Sequence, residues 1–325
     1  MDGIFNINKP LGATSHDVVA RVRRLAGQKR VGHTGTLDPL ATGVLPICLG
    51  QATRVAEYLS DGGKAYRATI RFGMVTDTYD AEGAVRRTAP VTLTHDAIAA
   101  ALPAFLGRQW QVPPVYSAIK RGGQPLYKLA RAGAEVAPEP RQVEITALEV
   151  VSWASPDLVL DVTCGKGTYI RSLAYDLGER LGPGAHLAGL IRTRSGPFTL
   201  ASSLTLEQLA TVLADGTWRD HLRAADEALL DRRAAILGPE SEARLRAGQS
   251  LRFATAAPDV EDVPDALPAA ADVAAPGSAP DAAAPADQPL LRAYSVDGRF
   301  LGVLRWEPAA AAWHPHKVLA VAPVE

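Results

Sequence analysis

The stretch that decides the fold is Val31-Gly32-His33-Thr34-Gly35-Thr36-Leu37-Asp38-Pro39-Leu40-Ala41-Thr42-Gly43-Val44-Leu45. Its three glycines and its proline argue against a regular helix or a central strand, so we expect a shaped loop over the whole stretch. It carries one carboxylate, Asp38, and Pro39 biases the backbone of Asp38 towards an extended conformation. On composition alone a turn-forming role is the more ordinary interpretation of Asp38, and a reactive carboxylate on a rigid loop is the sharper one.

Length and composition indicate a globular protein of two domains. The chain has 325 residues, of which 47% are hydrophobic and 21% are charged, and this length allows a substantial core. It has no unbroken apolar run of about 18 residues, so we expect no membrane span. Its polar start does not resemble a signal peptide, and Cys48 and Cys164 are too few for a secreted disulfide scaffold. We therefore expect a cytoplasmic protein.

Charge is distributed unevenly along the chain. Residues 254–289 contain seven acids and neither lysine nor arginine, so the remainder holds 34 basic and 28 acidic residues, a net charge of +6. A mildly basic fold is compatible with a phosphate-bearing partner. The same segment is rich in Ala, Pro and Asp, without aromatic residues or apolar periodicity, so we predict a disordered insertion there.

Apolar periodicity predicts the helices and strands. Residues 4–8 are predicted as a strand, and Ser15 as the N-cap of the helix that follows. Residues 66–72 alternate cleanly, which predicts a half-buried strand with Tyr66 on its apolar side; a simple core tyrosine is the alternative interpretation. The remaining predicted helices are 52–59, one capped by Thr94, one running on from 170, 206–209, 224–230 and 241–247. The remaining predicted strands are 143–151, 158–163, 251–253, 290–296, 300–306 and 317–321.

Two basic regions are candidates for RNA contact. The first, residues 21–30, holds five Lys or Arg residues; such a run is ordinarily a solvated surface, and the sharper interpretation is a phosphate contact close to the Asp38 loop. The second, residues 112–141, combines rigid prolines with flexible glycines, and aromatic and basic residues alternate in it. That composition suits base stacking and phosphate contact with an RNA loop, and an ordinary surface hairpin is the alternative.

Motifs for several other chemistries are missing from the sequence. There is no His/Cys cluster at metal spacing, no G-x-S-x-G and no paired-glycine dinucleotide fingerprint, and residues 164–168 lack the spacing of a nucleotide-binding loop. Arg171 falls in the first turn of a predicted helix, where the macrodipole disfavours a cation, so an acidic partner would explain it. What remains is a single carboxylate on a rigid loop, together with an aromatic residue, an arginine and a basic surface. They suit covalent or acid–base catalysis on a nucleic acid without a cofactor.

Five motifs carry a resemblance to a known family. They are Asn8-Lys9-Pro10 with Gly12-x-Thr14-Ser15, Gly32-His33-Thr34-Gly35-Thr36-Leu37-Asp38-Pro39-Leu40-Ala41-Thr42-Gly43, Pro113-Pro114-x-Tyr116-Ser117-Ala118-Ile119-Lys120, Leu126-Tyr127-x-Leu129-Ala130-Arg131 and Gly167-Thr168-Tyr169-Ile170-Arg171. In their order and spacing the chain resembles the bacterial TruB family of tRNA pseudouridine synthases, which isomerise uridine 55 in the T loop. The resemblance is strong over residues 3–200 and weaker after them.

The resemblance implies an α+β fold and a domain organisation. Residues 1–225 would form a pseudouridine synthase catalytic domain around a mixed, mainly antiparallel sheet, with an RNA-binding thumb inserted at 113–141. Residues 226–325 would form a small PUA-like β-domain interrupted by the 254–289 insertion. The implied partner is tRNA, bound through its T stem-loop, and the protein is expected to be a monomer.

The resemblance also implies residue roles. Asp38 would be the catalytic nucleophile, Tyr66 would stack against the target base, and Arg171 would pair with Asp38. The residues implied to line the base pocket or support the chemistry are Asp80, Tyr169 and Leu190. His33 would help to fill the space left when the base flips out. The residues implied to contact RNA are Lys9, Arg30, Lys120, Arg121, Tyr127, Lys128 and Arg131.

The implied reaction fits these residues. It detaches uracil from C1′ and reattaches it through C5, so nothing is oxidised or hydrolysed, and we expect neither a metal nor another cofactor. Flipping the uridine out of the stack costs on the order of a few kcal/mol. Asp38 can attack covalently or can begin glycal formation by removing a sugar proton, and Arg171 would keep it charged at neutral pH. The alternative is a tRNA-binding or tRNA-folding protein in which catalysis is secondary; intact Asp38, Tyr66 and Arg171 argue against a loss of catalysis.

Overall fold

The structure is a computed structural model that describes residues 1–117, 119–121, 123–126, 138–252 and 289–319. The chain divides into two compact units, Gly3–Arg223 and a second unit from Ala224 onwards. Within the described residues, no helix is long and apolar enough to cross a membrane.

The first unit is built on one large, mainly antiparallel sheet. Its strands are β1 (Gly3–Lys9), β2 (Val31–His33), β3 (Ala41–Leu49), β4 (Lys64–Phe72), β5 (Met74–Thr76), β6 (Val85–Thr88), β7 (Gly107–Gln111), β8 (Lys120–Arg121), β9 (Gln124–Pro125), β10 (Arg141–Ala154), β11 (Asp157–Cys164), β12 (Ala185–Ser195) and β13 (Phe198–Thr199). The order across the large sheet is β1-β3-β12-β4-β11-β10-β7, with β2 paired to β3 and β13 to β12. The β3–β12 pair is parallel, and the other pairs of this sheet are antiparallel. The pairs β5–β6 and β8–β9 form separate hairpins.

Helices cover the sheet and close its core. They are α1 (Ser15–Leu25), α2 (Ala56–Asp61), α3 (His95–Ala101), α4 (Ile170–Leu181) and α5 (Leu206–Ala214). The apolar side chains of β1, β3, β4, β11 and β12 pack against α1, α3 and α4 in a single hydrophobic core. The predicted helix 52–59 is split into a 3-10 turn, Gly50–Arg54, and α2.

Strand β4 confirms the strand predicted from its alternation. Tyr66, Ala68, Ile70 and Phe72 are buried on one face. The arginines between them, Arg67 and Arg71, lie on the other face and form ion pairs of 2.7 Å with Asp161 and Asp157, their register partners on β11.

Helix α1 begins one residue earlier than predicted. Thr14, not Ser15, is the N-cap: its hydroxyl accepts from the amide of Asp17, whose carboxylate accepts from the amide of Thr14. This capping box satisfies amides that the first helical turn leaves without partners. Ser15 is instead the first helical residue, and its side chain is buried.

The glycine-rich stretch is less of a loop than predicted. Its two ends are strands, β2 and β3, and only residues 34–40 between them are irregular. β3 lies inside the sheet, between β1 and β12. Gly43 in β3 has φ +100°, and a Cβ there would lie 2.3 Å from the carbonyl oxygen of Arg192. Here glycine permits a close approach of two strands, which explains why it does not exclude a central strand.

The second unit is a small sheet with one helix. Its elements are β14 (Ala234–Leu237), α6 (Pro239–Arg246), β15 (Leu290–Ser295), β16 (Phe300–Glu307) and β17 (Ala312–Val318), and the sheet order is β14-β15-β16-β17. Strand β14 was not predicted, and of the predicted strand 251–253 the structure describes the first two residues, where Leu251 forms a bridge to Trp313. The predicted insertion, apart from Pro289, and the end of the last predicted strand lie outside the described residues.

Candidate active site

The loop at residues 34–40 is held by hydrogen bonds to polar groups from other parts of the chain. The Ser15 hydroxyl accepts from the amide of Leu37 at 2.8 Å and lies 3.2 Å from its carbonyl oxygen, to which it can donate. The amide of Gly12 donates to the carbonyl of Pro39 at 2.9 Å. The Ser60 hydroxyl donates to the carbonyl of Thr34 at 2.8 Å. These tertiary bonds replace the regular hydrogen bonding that a loop lacks.

Lys9 also holds this loop, which corrects its predicted role as an RNA contact. The residue is completely buried, and its ammonium donates to the carbonyls of Ala13 at 2.5 Å, Pro10 at 3.0 Å and Pro39 at 3.4 Å. Burial lowers the pKa of the Lys9 ammonium to about 8, and the charge of Asp38 opposes that shift. A side chain without solvent exposure cannot bind an RNA phosphate, so Lys9 is part of the framework beneath Asp38.

Arg171 contacts three segments: the loop at residues 34–40, which we call the catalytic loop, residues 78–80, and Tyr116. Its Nε lies 3.0 Å from Asp38 Oδ2, and its Nη1 lies 3.4 Å from Asp80 Oδ2. Its Nη1 also donates to the carbonyl of Thr78 at 3.2 Å, and its Nη2 donates to that of Tyr116 at 2.9 Å. Arg171 is the second residue of α4, and the two carboxylates supply the acidic partners that a cation at a helix N-terminus requires.

Asp80 is fixed from both sides. Its Oδ1 accepts from the Thr78 hydroxyl at 2.6 Å and from the amide of Glu82 at 3.1 Å. The side chains of Asp80 and Arg171 are each 6% exposed, whereas that of Asp38 is 39% exposed. Asp38 is therefore the carboxylate of this network that a substrate can reach.

The surroundings of Asp38 raise the pKa of its carboxyl above the ordinary value. Burial is the largest cause, and the nearby charge of Asp80 acts in the same direction. Arg171 and Lys9 oppose the rise, Arg171 by charge and by a hydrogen bond. Arg171 thus favours the ionised carboxylate as expected, but burial outweighs it.

Two tyrosines lie close to Asp38. Tyr66 is 7% exposed, and burial raises the pKa of its phenol. Burial also raises the pKa of the Tyr169 phenol. Asp38 is among the charges that act on both phenols. The backbone of Tyr169 is clamped by the side chain of Gln111, which accepts from its amide at 2.8 Å and donates to its carbonyl at 3.1 Å.

Leu190 and His33 flank the loop. Leu190 in β12 is the register partner of Ala41, which directly follows the loop, and of Ala68 in β4, two residues after Tyr66. The ring of His33 packs edge-on against that of His16 at 5.4 Å. Its Nδ1 accepts from the amide of Gly35 at 3.2 Å, and burial lowers the pKa of the imidazole. His33 is thus suited to be neutral, and its predicted role in base flipping stays a prediction.

The remaining predicted RNA contacts are only partly described. Arg30 is exposed, and its Nε donates to the Thr53 hydroxyl at 2.8 Å. Lys120 and Arg121 form β8, with side chains outside the description. Tyr127, Lys128 and Arg131 lie outside the described residues.

Arg192 is a site residue that sequence reasoning missed. It is buried in β12, and its guanidinium bonds the carbonyls of Val44 and Gly35. The available signal was an arginine that continues an apolar strand-forming run, residues 185–191. Gln111 carried no comparable signal, because its contact with Tyr169 spans 58 positions of sequence.

Comparison with known proteins gives the family. Residues 23–170 match the TruB family pseudouridylate synthase N-terminal domain, and residues 171–232 match the tRNA pseudouridylate synthase B C-terminal domain. The tRNA pseudouridine synthase B of Pseudomonas syringae is 53% identical over 216 residues, 66% of this chain and 71% of the relative. That of Dehalococcoides mccartyi is 42% identical over 319 residues, 98% of this chain and 96% of the relative. The chain belongs to the TruB family.

Solved structures place this TruB-family chain in a known fold. A chain of an H/ACA RNP bound to a substrate RNA containing 2′-deoxyuridine matches with a TM-score of 0.69 and 23% identity, over 98% of this chain and 85% of that one. A chain of a Cbf5-Nop10-Gar1 complex matches with a TM-score of 0.67 and 24% identity, over 98% and 82%. At these identities the matches show the fold alone. They confirm the predicted α+β class with its mainly antiparallel sheet.

Proposed function

We propose that this chain isomerises uridine 55 in the T loop of tRNA and that Asp38 starts the reaction. Conversion of a tRNA uridine to pseudouridine is the activity of the family to which the chain belongs, and the alternative of a tRNA-folding protein with secondary catalysis is not favoured. The position of the target uridine and the roles of individual residues are our proposal.

One observation supports the role of Asp38 above the others. Asp38 is the exposed member of a network whose other members, Arg171 and Asp80, are buried and fixed. A carboxylate on a loop held by Ser15 and Lys9 has a set direction. Such preorganisation favours an attacking group, because little reorganisation is required when the substrate arrives.

The proposed reaction uses only groups of this site. Asp38 attacks C1′, or removes a sugar proton to give a glycal; in either route the C1′–N1 bond breaks and uracil is released within the pocket. Uracil then turns, and its C5 bonds to C1′ while the bond between Asp38 and C1′ breaks or, in the glycal route, while Asp38 returns the sugar proton; the C5 proton then leaves and N1 gains a proton. Tyr66 holds the base, and Tyr169, Asp80 and Leu190 shape its pocket.

The wider organisation is proposed on the same basis. Residues 113–141 would form a thumb against the RNA. Arg171, which bonds the carbonyl of Tyr116, would link the start of this thumb to Asp38. The unit from Ala224 onwards would be the PUA-like domain. We also propose that the protein acts as a monomer in the cytoplasm.

The test is isomerisation of a T-arm stem-loop transcript by the wild type and by Asp38→Asn. The variant keeps the shape of the side chain and loses its negative charge. We expect tritium release from C5-labelled uridine to fall more than about 10,000-fold, beyond the range of a supporting acid or base, with RNA affinity kept. Asp161→Asn, which alters a surface ion pair, is the matched control. Normal turnover in Asp38→Asn would refute the assignment, and pseudouridine mapped elsewhere in the transcript would refute the target position.

A further inference from the structure

Arg192 connects both ends of the catalytic loop. It is 1% exposed and is the largest of the fully buried side chains in the described residues. Its Nε donates to the carbonyl of Val44, just after the loop, at 2.7 Å, and its Nη2 donates to that of Gly35, inside the loop, at 3.1 Å. The geometry of residues 34–40 therefore depends on a side chain from β12.

The charge of Arg192 requires an explanation beyond these two bonds. Over the part of the chain that the structure describes, no carboxylate lies within ion-pair distance of its guanidinium. Burial of an ion without a counter-ion is costly, and an apolar side chain of similar volume avoids that cost. The two carbonyl bonds use only part of the donor capacity of the guanidinium and do not account for a full positive charge at this place.

Tyr66 is a neighbour on which the charge of Arg192 acts. Arg192 and Tyr66 are register partners on β12 and β4, so their side chains lie on the same face of the sheet. The positive charge of the guanidinium is close enough to the Tyr66 phenol to oppose the rise that burial causes in the pKa of this phenol. An arginine can only donate, so a guanidinium beside the phenol oxygen favours a hydroxyl whose proton points away from it.

We propose that Arg192 is a positioning residue for the reaction: it ties the loop that carries Asp38 to the hydroxyl of Tyr66 and sets the direction of that hydroxyl towards the bound base. The inference rests on the proposed function, in which Tyr66 holds the base. During isomerisation the C5 proton must leave and N1 must gain one. A hydroxyl of fixed direction next to the base can interact with these atoms without reorganising.

Three variants test the proposal. Arg192→Met removes charge and donors, Arg192→Lys keeps a cation that cannot reach Val44, Gly35 and Tyr66 together, and Arg67→Gln is the matched control. Arg67 follows Tyr66 in β4, lies on the opposite face and pairs with Asp161. For each variant we would measure single-turnover tritium release, RNA affinity, thermal melting and the 13C resonance of the Tyr66 Cζ, assigned with Tyr66→Phe in tyrosine-labelled protein.

We expect Arg192→Met to slow tritium release by roughly ten- to a hundredfold, as for a small misplacement of reacting groups. RNA affinity should stay within about twofold of the wild type, because a side chain that is 1% exposed offers no surface for a phosphate contact. The Tyr66 Cζ resonance should move in Arg192→Met and return part of the way in Arg192→Lys. Arg67→Gln should change neither the rate nor the resonance.

Two results would overturn the proposal. One is a Tyr66 resonance that stays in place in a folded Arg192→Met. The other is a wild-type rate in Arg192→Lys, which decides the question if Arg192→Met does not fold. Failure of the proposed function has a different signature: the wild type would release no tritium from T-arm RNA, while the resonance would still report on the link between Arg192 and Tyr66.

Discussion

Ser15 and Thr14 are adjacent, yet the structure gives them separate tasks, and exchanging each for alanine should separate stability from activity. The Thr14 hydroxyl caps α1 by bonding Asp17, whereas the Ser15 hydroxyl bonds both the amide and the carbonyl of Leu37, the residue before Asp38. Ser15→Ala should therefore disturb both the fold and the reaction. Thr14→Ala should disturb the fold alone.

The magnitudes follow from the bonds that are lost. Ser15→Ala leaves the amide of Leu37 buried without its acceptor, at a cost of about 1–3 kcal/mol. With the lost hydroxyl bond and a small gain in helix propensity, we expect a net loss of about 2 kcal/mol. That corresponds to a fall in Tm of roughly 4–8 °C for a unit of this size. Thr14→Ala removes a helix cap and should cost about 1 kcal/mol.

The assay compares Tm with the single-turnover rate on T-arm RNA at a temperature where both variants are folded. We expect Ser15→Ala to lower the rate by roughly ten- to a hundredfold, because small displacements of a reacting group have large effects. Thr14→Ala should keep the wild-type rate. The reasoning is wrong if Ser15→Ala melts early but reacts normally, or if both variants lose rate in proportion to their loss in Tm.

Three further predictions concern the network and the insertion. Asp80→Asn keeps an acceptor for the Thr78 hydroxyl but removes a charge that raises the pKa of Asp38. The acid limb of the pH–rate profile should therefore move to lower pH. A move to higher pH would contradict this cause. The ring of Tyr79, a residue with φ +62°, stacks on that of Tyr175 with ring centroids 4.0 Å apart. Because Tyr79→Ala removes this stacking, it should lower the free energy of unfolding by about 2 kcal/mol, whereas Tyr79→Phe keeps the ring and should keep the stability, as measured by denaturant unfolding. Deletion of residues 254–289, which have no apolar periodicity, should leave Tm and activity nearly unchanged, and a large fall in Tm would show that the segment packs.

The sequence predicted those parts of the site whose signals are local. Alternation identified β4 and the inward side of Tyr66, because a strand buried on one face repeats every second residue. The position of Arg171 at the start of a helix indicated an acidic partner, and Asp38 and Asp80 lie beside it. The motifs around Asp38 gave the family, which the comparisons confirm.

Other features depend on tertiary contacts that no local pattern carries. Glycine content suggested a loop throughout residues 31–45, but Gly43 serves a close approach between β3 and β12 inside the sheet. Ser15 and Thr14 are both good cap residues by type, and Thr14 caps α1 through its capping box with Asp17; the contact of Ser15 with Leu37 spans 22 positions, so no local pattern indicated it. The resemblance implied an RNA contact for Lys9, whereas three carbonyls around its ammonium allow its burial.

Binding of a base must change the balance of effects on Asp38. In the free protein 39% of the Asp38 side chain is exposed, and a flipped uridine that covers it would remove water and strengthen the desolvation that already raises the pKa of this carboxyl. The same loss of water lowers the local dielectric constant and strengthens the attraction of Arg171 across 3.0 Å. The attraction can grow only if the arginine stays in place, and the carbonyls of Thr78 and Tyr116 hold it there. In the proposed complex, the bonds that fix Arg171 would therefore oppose the further rise in the pKa of Asp38 that a covering base would cause.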